Sequence, residues 1–462
     1  MFIGRTQELK RLRAELGRTG QGAVLVYGRR RVGKSELIKQ ALSGIAPFSI
    51  YYECKETSEA DNLLSLCSLA AEALGLPPLA FGRIEELLDF LAQRSASAPL
   101  VLVLDEYPYL RRVAKGLDSV IQAVLDRNRS SSNLKLVLCG SYIDAMRSLL
   151  DSHNPLYGRI DLTINLKPMD YYEAAGFYGG FSNEDKVRLY SVLGGIPYYN
   201  RLVDPALSVR DNIKALIASP GARLENEVSM YLRSEISKIV NANEVFGALA
   251  QGYTRYKDIL DQSHVSSAPA MVDVLDKLIG MELVQRQAPI NCPDNRKRAS
   301  YRIVDPLSLF FYRYVFRYSS QMAVMDEDVF YSRYIERDFE ERYVPRFFEE
   351  VCRQFLVRQN RAGLIEPPFE EIGRYSYDDP VAHTNGEFDV VARSERGYSF
   401  YEAKFTARPV GARVIAEEIA QVKATGLECV AYGFISRSGF EHDALEGIGE
   451  DVQLITLEQL YA

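Results

Sequence analysis

A short apolar run followed by a glycine-rich loop and a helix-forming stretch constrains the amino-terminal fold most strongly. Residues 23–27 are continuously apolar, as in a strand buried on both faces of a parallel sheet. Residues 36–42 favour a helix. Between them lies a loop that fits GxxxxGK(S/T), made of Gly28, Arg29, Arg30, Arg31, Val32, Gly33, Lys34 and Ser35. The motif therefore has the strand–loop–helix setting that a phosphate-binding loop requires.

The chemistry of this loop depends on its backbone. Successive N–H groups must surround the phosphates at the amino end of a helix, and Gly28 and Gly33 permit the torsions and the close approach that this requires. Lys34 would then reach the terminal phosphates, and Ser35 would ligate magnesium. We expect Mg-ATP to be bound by the segment that ends at Glu36.

A second apolar run, residues 100–104, ends in Asp105 and Glu106. Ligands gather at the carboxyl ends of strands in open α/β sheets, so this pair indicates a Walker B motif. Asp105 would hold magnesium through water, and Glu106 would orient and deprotonate the attacking water. An acidic pair alone could cap a helix, but it is more specific after a phosphate-binding loop.

Three more segments can supply strands, at 48–52, 134–139 and 162–166. The pattern predicts an α/β fold with a five-stranded parallel sheet and helices on both faces. This region resembles the AAA+ superfamily, specifically the archaeal-type P-loop ATPases related to the STAND NTPases. The resemblance rests on Phe2 to Arg5 with Glu8 and Leu9, on Gly28 to Leu37, on Leu104 to Glu106, and on Gly140 with Ser141.

The resemblance implies three sensor residues. Ser141 would be sensor 1, and Arg159 would read the γ-phosphate in cis or across a subunit contact. A surface ion pair is the alternative for Arg159. Pro197, in the helical lid, would pack on the nucleotide, although a turn that ends a helix is also consistent with the sequence.

The middle of the chain changes character twice. Helical patterns at 166–237 suit a lid, and the unit at 238–320 contains three short helices followed by strands at 283–287 and 300–304. This order predicts a winged-helix module with a connecting helix. The best local basic patch is formed by Arg296, Lys297, Arg298 and Arg302, and the wing that contains Arg296 to Arg298 is the more plausible phosphate contact. A solvated loop or a protein-docking module is equally consistent.

The carboxyl-terminal unit, 338–462, carries spaced carboxylates. Glu349 lies at the flank of the apolar face of a helix over 343–357. Strand-like runs at 387–393 and 398–404 surround a turn, and pairing 393 with 398 places Asp389 opposite Glu402, with Lys404 on the same face. Opposed carboxylates destabilise a hairpin unless a divalent cation lies between them.

This arrangement resembles the PD-(D/E)xK nuclease superfamily, whose fold is the α/β restriction-endonuclease-like fold. The resemblance implies that Asp389 and Glu402, preceded by Glu349, bind magnesium and that Lys404 positions or activates water. The usual proline before the first acid is missing, since Phe388 precedes Asp389. The alternative is a catalytically silent domain in a nucleotide-driven switch that binds DNA or protein.

Composition narrows the remaining choices. A chain of 462 residues predicts several domains, which we place at 1–165, 166–237, 238–320 and 338–462. A net charge of −7 argues against coating nucleic acid by bulk charge, so any DNA contact would be local, through the wing or the carboxyl-terminal domain. Scattered cysteines, the lack of a signal sequence and the lack of a spanning apolar run predict a cytoplasmic protein. A homo-oligomer stays open.

Overall fold

The computed structural model describes residues 2–45, 48–228, 241–379, 384–446, 449 and 451–462. These residues form two compact units, one of Met1–Met169 with Ile196–Tyr198 and the other of Asp170–Gly195 with Tyr199–Ala462. The predicted boundary between positions 237 and 238 lies outside the described residues. The finer division into four domains stays a prediction.

The first unit is built on a parallel sheet, as the sequence predicts. Its strands are β1 (Gly22–Tyr27), β2 (Phe48–Glu53), β3 (Leu100–Asp105), β4 (Leu134–Gly140) and β5 (Leu162–Asn165), in the order β2-β3-β4-β1-β5. Every residue of β1, β3 and β4 is buried. Continuous burial explains why these strands are mostly apolar rather than alternating. The charged exceptions are Lys135 in β4, which lies beside Glu15, and Asp105 at the end of β3.

Helices flank this sheet and bury one apolar face each. In the helix Ile84–Arg94, for example, Leu87, Leu88 and Leu91 are buried while Glu85 and Glu86 occupy the first turn. The helices are Thr6–Leu16, Lys34–Leu42, Glu59–Leu74, Ile84–Arg94, Tyr107–Val113, Leu117–Arg127 and Ile143–Arg147, with a 3-10 turn at Ser148–Leu150.

The second unit begins with the helices of the predicted lid. They are Tyr171–Ala175, Asn183–Leu193, Val209–Ile213 and the π-helical turn Lys214–Ala218. The short helix Pro197–Asn200 of the predicted lid begins in the segment that groups with the first unit. Next come Ala242–Ala250, Tyr256–Ser263 and Ala268–Gly280, then the antiparallel pair β6 (Val284–Gln287) and β7 (Ser300–Ile303). These are the elements expected of a winged helix, and the assignment to that fold stays a prediction.

An aromatic-rich helical region leads into the carboxyl-terminal sheet. Its α-helices are Pro306–Phe310, Ser319–Val324, Glu327–Tyr331 and Val344–Arg361, with π-helical turns at Phe311–Phe316, Ser332–Glu336 and Phe339–Tyr343. The last α-helix buries Phe348, Val351, Cys352, Phe355 and Leu356, the apolar face that the sequence predicts. No helix in the described part of the chain is long and apolar enough to span a bilayer.

The carboxyl-terminal sheet is mixed. It contains β8 (Phe369–Asp379), β9 (Thr384–Ser394), β10 (Gly397–Lys404), β11 (Cys429–Ser436) and β12 (Val452–Thr456), in the order β12-β11-β10-β9-β8. Strands β8 to β10 pair antiparallel, and β10 to β12 pair parallel. Helices Ala412–Ala424, His442–Glu446 and Leu457–Leu460 complete the unit.

The register of the β9–β10 hairpin matches the prediction. Tyr398 pairs with Arg393, and the ladder continues to Tyr401 opposite Val390. The next position on each strand is Glu402 and Asp389, so the two acids follow the last pair of the ladder on neighbouring strands. Alternating apolar positions and the tight turn at 394–397 were sufficient to fix this register.

The basic run near the wing is less available than the sequence suggested. The Arg298 guanidinium forms an ion pair with Asp378 on β8, and Arg302 Nη1 lies 3.1 Å from Glu350 Oε2. Only Arg296 and Lys297 of the four are exposed in the described structure. Acids distant in sequence therefore neutralise two of the four basic residues, and phosphate contact by the wing stays a prediction.

Candidate functional site

The loop between β1 and the helix Lys34–Leu42 depends on its two glycines. A Cβ on Gly28 would lie 2.3 Å from the Leu166 carbonyl oxygen, which is too close for any side chain. Gly33 has a φ of 97° and forms the amino-terminal cap of the helix. The loop therefore leads directly into the amino end of a helix, where an anion is favoured.

Lys34 lies at the centre of this loop and is only 6% exposed. Its Nζ donates hydrogen bonds to the carbonyl oxygens of Gly28 (2.9 Å) and Arg29 (3.1 Å) and to Ser141 Oγ (2.8 Å). Burial lowers the pKa of Lys34, and the nearby carboxylates of Glu106 and Asp105 oppose that shift. The ammonium is thus held within the loop, against the residue predicted to be sensor 1.

The predicted magnesium residues are in direct contact. Ser35 Oγ donates a hydrogen bond of 2.8 Å to Asp105 Oδ2, and the Tyr51 hydroxyl donates to the same oxygen. Burial raises the pKa of Asp105, but hydrogen bonds from Cys139, Tyr51 and Ser35 outweigh it and leave the pKa below its usual value. An ionised carboxylate beside a hydroxyl is an oxygen donor set that suits Mg²⁺.

Glu106 is oriented by Ser141. The Ser141 hydroxyl donates to Glu106 Oε1 at 2.7 Å, and the Ser141 backbone N–H donates to Oε2 at 3.2 Å. Glu106 has a φ of 49°, in the left-handed region, immediately after β3. This strained backbone position turns the carboxylate toward the end of β4, so one network joins Lys34, Ser141 and Glu106.

Ile196–Tyr198 groups with the first unit and contacts the loop. A Cβ on Gly33 would lie 3.7 Å from Pro197 Cγ, and the Arg31 guanidinium stacks on the Tyr198 ring at 4.0 Å. Pro197 is therefore close to the phosphate-binding loop, and its packing on a nucleotide stays a prediction. Sequence reasoning did not predict the contact between Tyr198 and Arg31, although Tyr198 follows Pro197 directly in the sequence.

The remaining loop residues have separate contacts. Arg30 Nη2 lies 3.3 Å from the Tyr109 hydroxyl, and the buried Arg5 donates to the Val32 carbonyl at 3.2 Å. Arg29 is half-buried and Glu36 is exposed. Arg159 pairs with Asp126 at 2.9 Å and bonds backbone carbonyls of its own turn, so the contacts described do not join it to the loop.

Two models of known protein families match parts of this chain, and one of them covers the phosphate-binding loop. Residues 2–202 match a family model described as an ATPase domain predominantly from Archaea. The matched range contains the loop, the acidic pair after β3 and the Pro197 segment. The protein is a P-loop ATPase. Residues 311–418 of this ATPase match a second model, described as archaeal and bacterial proteins of unknown function.

Relatives of the ATPase extend over most of its length. An uncharacterized protein of Methanocaldococcus jannaschii is 27% identical over 399 residues, which cover 86% of this chain and 85% of that protein. A solved Walker-type ATPase of Pyrococcus abyssi is 22% identical with a TM-score of 0.49, covering 68% of this chain and 96% of its own. The Aeropyrum pernix ORC2 protein, solved with ADPNP and ADP, is 14% identical with a TM-score of 0.44 and coverage of 70% and 96%.

The carboxyl-terminal unit of the ATPase brings the second predicted set into one region. Lys404 Nζ lies 2.7 Å from Glu402 Oε1 and 2.6 Å from Glu418 Oε1, so the lysine and Glu402 share a face as predicted. Asp389 Oδ1 lies 3.5 Å from Arg374 Nε. Sequence reasoning missed both Glu418 and Arg374, because each comes from a segment outside the hairpin.

Glu349 is electrostatically linked to this region. Burial, with the nearby carboxylates of Asp389 and Glu402, raises the pKa of Glu349 to about 8, although Arg374 and Arg346 oppose the shift. Burial also raises the pKa of Glu402, against the effect of Lys404. The helical acid predicted from sequence is therefore close to both strand acids.

The carboxylates of Glu349, Asp389 and Glu402 have the right chemistry for a divalent cation, but their side chains are not arranged to hold one. Carboxylate oxygens are the ligands that Mg²⁺ prefers. Within the described residues, however, no three histidine, cysteine, aspartate or glutamate side chains are grouped so as to hold a metal ion. The side chains of Glu349, Asp389 and Glu402 would have to turn toward one another to share an ion.

The Glu349 carboxyl predicts a pH effect on stability. Its folded-state pKa of about 8 lies above the usual 4.5. Its contribution to the free energy of unfolding is therefore most favourable below about pH 4.5 and is lost as the pH rises through about 8. We expect Glu349→Gln in EDTA to raise the melting temperature relative to wild type by about 2–4 °C near pH 8 and by little near pH 5.

Differential scanning fluorimetry across this range measures the difference. Glu341→Gln is the matched control, because its side chain is 56% exposed and forms a surface pair with Arg337. If the difference in melting temperature between wild type and Glu349→Gln were the same near pH 5 and near pH 8, the raised pKa of Glu349 would be contradicted.

Proposed function

We propose that this ATPase is of the AAA+ type, that it hydrolyses Mg-ATP at the Lys34–Ser141 network, and that its nucleotide state controls a carboxyl-terminal domain that cleaves nucleic acid with a divalent metal. The observation that carries the ATPase part is the set of hydrogen bonds that joins Lys34, Ser35, Asp105, Glu106 and Ser141 at the ends of adjacent strands.

In this proposal each residue has a defined task. Lys34 exchanges its bonds to loop carbonyls for bonds to the terminal phosphates. Ser35, and Asp105 through water, would hold Mg²⁺, which would neutralise phosphate charge when bound. Glu106 accepts a proton from the attacking water through a lone pair that its two bonds from Ser141 leave available, while the water oxygen bonds to the γ-phosphorus and the bond to the ADP oxygen breaks. Ser141 then remains beside the phosphate as a polar sensor.

Glu106→Gln tests the role of the base. The amide cannot take the proton of water, so we expect ATP turnover to fall at least about 100-fold while nucleotide affinity changes little. Steady-state hydrolysis and binding of a fluorescent ATP analogue measure the two quantities. Glu72→Gln, an exposed acid on the helix Glu59–Leu74, is the control. Parallel losses of affinity and turnover would argue for a structural role.

Contacts inside the second unit support control of the carboxyl-terminal domain. On the lid helix Asn183–Leu193, Arg188 Nε lies 2.9 Å from Glu340 Oε1, Tyr190 donates to Gln354 at 3.2 Å, and Glu184 pairs with Arg437. This helix precedes the Pro197 segment in sequence. A nucleotide-dependent change at that segment would thus act on a helix already fixed to the carboxyl-terminal elements.

The nuclease part is supported by the hairpin register and by the proximity of the acids. Asp389 and Glu402 follow the last ladder pair on adjacent strands, and Lys404 contacts Glu402. Burial first, and then repulsion from Asp389 and Glu402, raises the pKa of Glu349, and shared binding of Mg²⁺ or Mn²⁺ would relieve that repulsion. Lys404 would position the attacking water.

The deciding experiment is a cleavage assay with Mg²⁺ or Mn²⁺. Single- and double-stranded DNA and RNA are incubated with and without ATP, and wild type is compared with the Glu402→Ala, Lys404→Ala double variant. The control is Arg413→Ala, Glu417→Ala, which removes an exposed ion pair on the neighbouring helix. Cleavage by wild type and the control, absent in the double variant, supports the nuclease.

The second candidate is a switch whose carboxyl-terminal domain binds DNA or protein without cleaving. The lack of a grouped three-ligand set in the described residues favours it. An ATP-hydrolysing wild type that cleaves none of the four substrates would select this alternative. Assembly into a homo-oligomer, with Arg159 acting in trans after leaving Asp126, is a further part of the proposal that sedimentation with and without ATP tests.

A further inference from the structure

We propose that Arg346 and Arg374 form a phosphate-binding pair beside the carboxyl-terminal acids and bind the backbone of a nucleic acid. The inference rests on the proposed function for the class of ligand. It does not require cleavage, because backbone binding can be measured without metal.

Arg346 occupies an unusual position for an arginine. It lies three residues before Glu349 on the helix Val344–Arg361, so the two side chains emerge from the same face. Although partly buried, its side chain makes no ion pair or hydrogen bond in the described part of the chain. This helix packs against β8, the strand that carries Arg374. The cationic neighbours of Arg346 are Arg374, Arg302 and Arg313, and the acids that act on it are Glu349 and Asp389.

Most of the neighbouring charge is already compensated. Arg302 pairs with Glu350 at 3.1 Å, and Arg313 pairs with Asp338 at 2.7 Å. Arg346 has no such partner, so positive charge gathers there without an acid in contact. Uncompensated positive charge destabilises the free protein, and a bound anion would offset this cost. A planar guanidinium binds best to an anion that offers several oxygens.

Arg374 connects this charge to the strand acids. Its Nε lies 3.5 Å from Asp389 Oδ1. Its Nη1 lies 3.7 Å from Glu387 Oε2 and donates a hydrogen bond of 3.1 Å to Ser300 Oγ. The guanidinium is thereby held on β8 with 23% of its side chain exposed. A phosphate on Arg346 and Arg374 would lie next to Asp389, where the proposed cleavage requires it.

A neighbouring loop favours a polymer over a single phosphate. The Ile290 N–H donates to the Arg374 carbonyl at 2.8 Å, which fixes the loop between β6 and β7 to β8. The same loop carries the exposed Arg296 and Lys297. Cations spread along a loop and a strand suit successive phosphates, as in a nucleic acid backbone.

The test is metal-free binding of fluorescent single- and double-stranded DNA by the full chain in EDTA, followed by anisotropy. We expect Arg346→Gln to weaken binding roughly tenfold and to lower the slope of log affinity against log salt by about one. Arg346→Lys should restore the slope because it restores the charge. Arg337→Gln, whose side chain is 86% exposed, should bind as wild type.

Each outcome has a defined meaning. Equal binding by wild type and Arg346→Gln overturns the inference, as does a wild type that binds neither DNA. Competition with inorganic phosphate distinguishes the ligand: a site that takes phosphate through Arg346 but not DNA overturns the polymer assignment. Should Arg346→Gln melt early, Arg374→Lys, expected to bind more weakly with a normal melting curve, replaces it. If wild type binds DNA through Arg346 but does not cleave it, only the proposed nuclease activity is refuted.

Discussion

Lys34→Ala is expected to lower kcat/KM for ATP at least about 100-fold and to weaken nucleotide binding. The Lys34 ammonium donates to the loop carbonyls of Gly28 and Arg29, at 2.9 and 3.1 Å. Alanine removes a charge that stabilises phosphate oxygens most strongly in a buried setting. Hydrolysis assays and calorimetric titration with ATP give both quantities.

The change should leave the fold intact. Lys34 is 6% exposed and donates to groups that water can reach once the side chain is shortened, so we expect a modest shift in melting temperature. Lys10→Ala, an exposed lysine on the helix Thr6–Leu16, controls for loss of a positive charge. Full ATP turnover by Lys34→Ala would refute the assignment of the loop.

Asp389→Asn is expected to abolish metal-dependent cleavage while ATP turnover continues. The amide keeps the shape of the side chain but removes the charge that binds a divalent cation, and loss of several kcal/mol of metal interaction corresponds to at least about a 100-fold loss in rate. Asp389 is 48% exposed, so the substitution does not open a cavity in the core. Cleavage and ATP hydrolysis are measured on the same preparation.

Asp443→Asn provides the matched control. This exposed acid lies on the helix His442–Glu446 of the same unit, away from the hairpin strands in sequence. If Asp389→Asn lost ATP turnover and melted at a lower temperature, its ion pair with Arg374 would be structural rather than part of a metal site. Cleavage equal to wild type would remove Asp389 from the proposed site.

The local elements could be read from the chain because neighbouring residues determine them. The apolar runs that became β1, β3 and β4 are buried throughout. The β9–β10 register followed from side-chain alternation and a short turn. The P-loop, the acidic pair and the hairpin are thus matters of short-range sequence.

Contacts between distant segments needed the tertiary structure, because no local pattern encodes which charge meets which. Arg298 and Arg302 were expected at a DNA contact, yet Asp378 and Glu350 neutralise them. Arg159 pairs with Asp126, and Lys404 lies between Glu402 and Glu418. The sequence alone determined the phosphate-binding chemistry. Only folding, which brings the helix Val344–Arg361 to β8 and β9, decided which acids and arginines share the carboxyl-terminal region.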